Sequence, residues 1–254
     1  MAKVRGSFFT LLELLVVIAI MAILAGVLLP SLSAARTTAA TAGCLANLRQ
    51  LAYGALSYSG DHHGWMLSTT VDGRVENSWL ETIHPYVCGA PPPVGHFADP
   101  GGERDDALFA CPAEAVGFGD SGRGFYSCSH YAHNSLGLGW NSAERGTRKT
   151  TPYYPRRETT LLEPSNAVVF MDQGRLSAPG IDWTVVSYIA YRHGGDPGCA
   201  RNGKCIAYRG NRANTAFYDG HAATVGKDEV GADRFSWLCN GITWLNGEEI
   251  IREP

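Results

Sequence analysis

The sequence predicts an α+β protein: a long N-terminal helix, membrane-spanning in its first half and a stalk in its second, packed on an antiparallel β-sheet with long loops. Three observations predict it. Phe8 to Leu29 is an almost unbroken apolar run. Beyond Pro30, Leu32, Ala35, Ala39, Leu45, Leu48, Leu51, Ala52, Ala55 and Tyr58 recur at helical threes and fours, with one gap of six. The remainder holds short β-branched and aromatic runs between glycine- and proline-rich stretches. Late strands after one early helix are the α+β pattern.

The apolar run comes first. Its 22 residues would span about 33 Å as a helix, close to the hydrocarbon thickness of a bilayer. Lys3 and Arg5 precede it and no further base follows until Arg36. The positive-inside rule then leaves the N-terminus in the cytoplasm and the body outside. A cleavable signal has an apolar region of only about 7–15 residues. Ser31–Ala34 ("SLSA") offers a small-residue cleavage site, but the run is too long for a signal and Glu13 sits near its start. A retained anchor is the better reading. Glu13 is then the puzzle, because a carboxylate inside a spanning helix costs roughly 2.5 kcal/mol or more.

Composition narrows the rest. The chain has 254 residues, 45% apolar and 18% charged, with net charge −3. That suits one medium globular domain plus an anchor. There is no basic stripe, so nucleic acid is not an expected partner. Seven cysteines without a CxxC pair argue against a zinc ribbon and for an oxidising compartment with disulfides. An odd number leaves at least one cysteine free or paired with another chain.

The stretch "FTLLELLVVIAIMAILAGVLLPSLSAAR" (Phe9–Arg36) resembles the prepilin N-terminal segment of type IV pilins and type II secretion pseudopilins. Counting Phe9 as first, Glu13 is fifth and Pro30 is twenty-second, as in that family. The resemblance implies cleavage before Phe9 by a prepilin peptidase and methylation of the new amine. It also implies pairing of that amine with Glu13 of a neighbouring subunit during filament assembly, at an inner-membrane assembly platform. One residue departs from the pattern. The family has glycine before the cut, and Phe8 stands there. The nearest glycine, Gly6, would place the cut two residues early and leave Glu13 seventh.

The expected organisation is a cytoplasmic leader over 1–8, a transmembrane and assembly helix over 9–30, a helical stalk over 31–60 and an extracytoplasmic domain over 61–254. Pro30 should bend the helix near the membrane surface. "SGDHHG" (Ser59–Gly64) should stop it. Strands are expected at "AVVFMD" (Ala167–Asp172), "WTVVSYIAYR" (Trp183–Arg192), "KCIAYR" (Lys204–Arg209), "NTAFYDGHAATV" (Asn214–Val225) and "GITWLN". "IAYRHGG" at Ile189 and "IAYRGNR" at Ile206 echo each other. They read as two strands flanking an inserted loop over 193–205. Cys199 and Cys205, six apart, are close enough for a loop-closing disulfide.

"CLANLRQLAYGALSYSGDHHGW" resembles a stretch of large pilin-like proteins that carry an H-X9-DG element. "RHGG" with "NTAFYDGH" resembles that element itself, with His193, Asp219 and Gly220 as its histidine and Asp-Gly. Here 25 residues separate His193 from Asp219, as if the inserted loop had been spliced into it. "LFACPAE" (Leu108–Glu114) and "SHYAHN" (Ser129–Asn134) resemble further landmarks of that subfamily, a Cys-Pro and a Tyr-x-x-Asn.

The resemblance implies a structural, non-catalytic subunit that associates with copies of itself and with other pilin-like subunits. Its body would be periplasmic or part of an extracellular fibre. Two other readings stand beside it. One is a membrane-tethered exported hydrolase using Ser121 of "GDSGRG" (Gly119–Gly124) or the Asp219/His221 region; the other is a cell-surface binding protein on a pilin-type anchor. Gly-Asp-Ser-Gly is also ordinary turn chemistry. Asp172, His193, Asp219 and His221 could converge on a metal. Calcium, however, needs six to eight oxygens, and Asp172, Asp196, Asp219 and Asp228 are scattered without EF-hand spacing. "YDGH" reads better as a strand-ending turn, with Asp219 capping amides and Gly220 at positive φ.

Overall fold

The computed structural model describes residues 10–69, 78–92, 107–118, 126, 129–135, 156–174, 176, 180–181, 189–194, 199–202, 205–208, 210–230 and 238. The chain divides into two compact units, Met1–Ala40 and Thr41–Pro254.

In the first unit, helix α1 (Leu11–Asp61) opens with a capping box. Thr10 N–H and Thr10 Oγ1 donate to Glu13 Oε2 at 2.8 and 2.9 Å, and Glu13 N–H donates back to Thr10 Oγ1 at 3.2 Å. The costly carboxylate therefore closes the first helical turn, where orphan N–H groups need an acceptor. Residues 11–39 are exposed throughout. By length and composition this helix is long and apolar enough to cross a membrane. It continues through Pro30 without interruption.

The second unit begins inside α1, not at residue 61. Cys44, Leu48, Leu51, Ala52, Ala55 and Ser59 are buried at helical spacing. They share a core with Trp79, Leu80 and Ile83 of α2 (Trp79–Cys88), with Phe109, and with Tyr131, Phe170 and Ala216 of the sheet. The end of the predicted stalk is thus the central element of the body. Its predicted stop holds: His63 and Gly64 take positive φ, and Gly64 N–H donates to Ser59 O at 2.9 Å. Helix α2 lies where no helix is expected from the sequence. It is ten residues long with Pro85 inside it, a residue that ordinarily argues against a helix.

A disulfide joins Cys44 of α1 to Cys111, 67 residues away. On the chain-entropy account, closing a loop of that length contributes about 4 kcal/mol. Asn47, one turn on, donates to Ala107 O and Ala110 O at 3.0 and 2.9 Å, so it secures the short helical turn Ala107–Phe109 beside the bridge.

The sheet has the order β3-β1-β2-β6-β7. Strands β1 (Tyr131–Asn134), β2 (Val168–Asp172), β6 (Arg212–Phe217) and β7 (Ala222–Gly226) are antiparallel. The two-residue β3 (Gly180–Ile181) adds to β1 in parallel. All five residues of β2 are buried, because both faces are covered. Phe170 and Val169 face the helical core, while Val168 and Met171 join Ala132, Ala213, Phe217, Val225 and Leu238 in a second one. A register shift between Val168 and Phe170 breaks strict alternation. A one-turn helix α3 (Lys227–Val230) follows β7.

The inserted segment differs from expectation. Strands β4 (Cys199–Asn202) and β5 (Cys205–Tyr208) pair with each other as a separate hairpin. The echo "IAYR" segments do not flank the insertion as a strand pair. Instead, His193 and Arg212 close its base, exchanging backbone hydrogen bonds at 2.9 and 3.0 Å. The described His193–Arg212 pair brackets 194–211, a wider span than the expected 193–205. The hairpin register sets Cys199 opposite Tyr208 and Cys205 opposite Asn202. That offsets the two cysteine positions by three residues, roughly 10 Å along a strand. The usual disulfide Cα separation is under about 7 Å, so this pairing does not bring Cys199 and Cys205 together. The predicted strands at Trp183–Arg192 and "GITWLN" fall largely or wholly outside the described residues; Ile189 makes a single bridge to Gln173.

Candidate functional site

The densest polar chemistry in the described residues lies at one end of β2 and β6, inside the protein. Asp172 ends β2, Asn214 lies on β6, and His193 pairs with the first residue of β6. Helix α1 brings Thr41 and Cys44, and the disulfide brings Cys111. Asp172 and His193 are 0% and 1% exposed.

His193 is the hub. Its Nε2 lies 3.0 Å from Asp172 Oδ2, 3.1 Å from Asn214 Nδ2 and 3.8 Å from Cys111 Sγ. Its Nδ1 lies 3.1 Å from Thr41 Oγ1. Asn214 N–H donates to Asp172 Oδ2 at 2.7 Å, and Thr224 Oγ1 donates to Asn214 Oδ1 at 2.7 Å. Beside this group, Arg192 Nη1 pairs with Glu114 Oε2 at 3.0 Å, with both side chains 2% exposed. Arg192 Nη2 donates to Gln173 O and to His130 O. Gln173 Nε2 donates to Ser129 O and Tyr131 O at 2.8 and 3.1 Å.

Burial sets the electrostatics. His130 is held well below the ordinary histidine range, first by burial and then by the nearby Arg192 charge, against raising hydrogen bonds from backbone groups. Burial and the Asp172 charge push the Tyr131 hydroxyl up. His133, stacked on Trp79 and edge-on to Phe170, is pushed down to about 3 by burial alone.

Hydroxyl, imidazole and carboxylate stand here in the order Thr41, His193, Asp172, the order of an acyl-transfer relay. Thr41 lies within α1, where backbone N–H groups are spent on helical bonds, so no pair of backbone donors is left for an oxyanion. Near-complete burial of His193 and Asp172 also denies a substrate direct approach.

The four residues expected to converge on a metal form two separate pairs. Asp172 and His193 make the buried one. Asp219 and His221 make the other, in the exposed turn between β6 and β7, with Asp219 Oδ1 2.6 Å from His221 Nδ1 and accepting from His221 N–H at 3.0 Å. Burial opposes ionisation of Asp219, but the bonds from His221 outweigh it and hold the carboxyl below its usual range. Gly220 takes φ +91°, and an added Cβ would lie 2.8 Å from the Tyr53 ring of α1. The Asp-Gly pair is therefore a turn, shaped where the hairpin presses on α1. Neither pair offers the six to eight oxygens calcium takes.

Of the remaining sequence candidates, Gly6, Phe8, Phe9, Ser121 and Asp196 lie outside the described residues. Glu13 and Pro30 lie on α1, and Asp228 on α3. Sequence reasoning missed Thr41, Cys44, Cys111, Glu114, Arg192 and Asn214 as members of one site. "LFACPAE" and "CLANL" drew notice as landmarks, and their cysteines are the pair that bonds. Comparison with protein-family models, curated proteins and solved structures returned no match.

Proposed function

We propose that this chain is a pilin-like structural subunit. It is anchored by the first part of α1, carries its body on the far side of the inner membrane, and assembles through α1 into a filament of the type II secretion or type IV pilus kind. One observation carries the reading: a fully exposed apolar helical segment whose single acid, Glu13, stands in its first turn. A helix apolar all round belongs in lipid or among other helices. Its partners are copies of the chain, related subunits, the prepilin peptidase and the assembly platform.

The test is intact-mass and N-terminal peptide spectrometry of the chain expressed with a prepilin peptidase. The expected product begins at a methylated Phe9. A start at Ser7 would move the cut to Gly6. An intact Met1, or a start near Ala34 or Ala35, would overturn processing as a pilin.

A further inference from the structure

His193 carries chemistry that a filament role does not use. Thr224 fixes the Asn214 amide by its Oδ1 and Asn214 Nδ2 also donates to Thr41 O at 3.3 Å, so this amide presents an N–H to His193 Nε2. The ring then offers a lone pair at Nε2 and an N–H at Nδ1, where Thr41 Oγ1 accepts it. Asp172 Oδ2 offers another lone pair 3.0 Å from Nε2. Two acceptor atoms this close favour a cation beside them, which would take the place of the Asn214 N–H at Nε2.

With the disulfide open, the surroundings change. In the bridged structure Cys44 Sγ, Cys111 Sγ and a ring nitrogen of His193 already lie within 4.8 Å of one another, all on buried residues. Asp172 stands beside that trio, outside the mutual 4.8 Å distance, with Oδ2 3.0 Å from the ring; its Oδ1 has no hydrogen-bond partner, and Arg192 Nε stands 3.9 Å away. We propose that the reduced chain binds one zinc-type cation through Cys44, Cys111, His193 and Asp172. Two thiolates, one imidazole and one carboxylate make a four-coordinate set for a thiophilic divalent ion, and a poor one for calcium. The Thr41–His193 and Asn214–Asp172 hydrogen bonds are the orienting contacts such ligands require.

The chemistry balances with an added phosphine. The phosphine takes oxygen from water and becomes the oxide, and the S–S bond takes up two electrons and two protons to give two thiols. Binding of the divalent ion then releases both thiol protons to solvent. All four donors lie within 41–254, so the site stands or falls apart from the filament reading.

The full chain in detergent is reduced anaerobically, freed of reductant and titrated with Co2+, with Zn2+ as competitor. The expected result is a thiolate-to-cobalt charge-transfer band saturating at one equivalent and displaced by Zn2+. That equivalent should be missing from the Cys44→Ser/Cys111→Ser double variant, a comparison that subtracts binding by the other five cysteines. His193→Ala, with circular dichroism unchanged, should weaken binding at least about tenfold. A band equal in the double variant, or undiminished affinity in His193→Ala, would overturn the proposal. Should the double variant not fold, His193→Ala decides alone.

Discussion

Two buried histidines predict that this protein loses stability in acid. His133 is fully buried on β1, its Nδ1 2.7 Å from Thr69 Oγ1, and burial pushes it from the ordinary 6.5 down to about 3. His130 is lowered too, first by burial and then by Arg192. A lowered histidine is neutral when folded and takes a proton when unfolded. Its contribution is fully present above about pH 6.5 and is lost as pH falls toward the folded value. Each such group costs about 1.4 kcal/mol per pH unit in that window, so His133 alone removes about 3 kcal/mol by pH 4.5. Urea unfolding at pH 7, 5.5 and 4.5 should show this slope. His133→Phe, which keeps a ring beside Trp79 and Phe170, should flatten it by one proton. An unchanged slope would mean that His133 is not held neutral. None of this was legible beforehand, because "SHYAHN" reads equally well as surface or core; only the coverage of β1 on both faces decides it.

At the scale of elements, period and punctuation carried furthest. β2 was legible because "VVFMD" is a β-branched run between Pro164 and Gly174. The β6–β7 turn was legible because Asp-Gly sits between two apolar runs. The β4–β5 excursion was misjudged at its ends: the echoed "IAYR" was read as strands flanking an insertion, whereas the second copy lies inside it, in β5. The true closure is the His193–Arg212 pair, with both backbone bonds made, the pattern that flanks a two-residue hairpin loop. Gly194 at φ +66° already has the conformation such a loop needs at its first position. Deleting residues 195–210 would join Gly194 to Asn211, a Gly-Asn turn of hairpin type. It would also leave nine residues between His193 and Asp219. The shortened chain should fold with the disulfide formed and a melting temperature within a few degrees of the parent, measured by calorimetry. Insoluble or molten material would show that the hairpin is part of the core.

For the whole molecule, the sequence announced the long apolar helix loudly and the buried cluster hardly at all. An apolar run is local, whereas Thr41, Cys111, Asp172, His193 and Asn214 meet only after the sheet closes on α1. The apolar helix also sharpens the role of Glu13. Its capping box places both bonds from Thr10 on Oε2. A carboxylate has about four acceptor positions, so Oε1 keeps capacity for a cationic donor. An amine from a neighbouring subunit would add charge compensation that the neutral Thr10 cannot, and in a low-dielectric setting that compensation decides whether the acid is tolerated. The box and the intersubunit pair are then separable. Glu13→Leu should enter the membrane at least as well as the parent, because it removes a cost of roughly 2.5 kcal/mol, yet yield no filaments. Thr10→Val, which keeps the carboxylate and breaks only the box, should assemble within about a few-fold of the parent, since one helix-end capping contact is worth about 1 kcal/mol. Membrane fractionation reads insertion, and sheared filaments on a blot read assembly. Equal filament yield from Glu13→Leu would show that Glu13 serves its own helix and not a neighbour's.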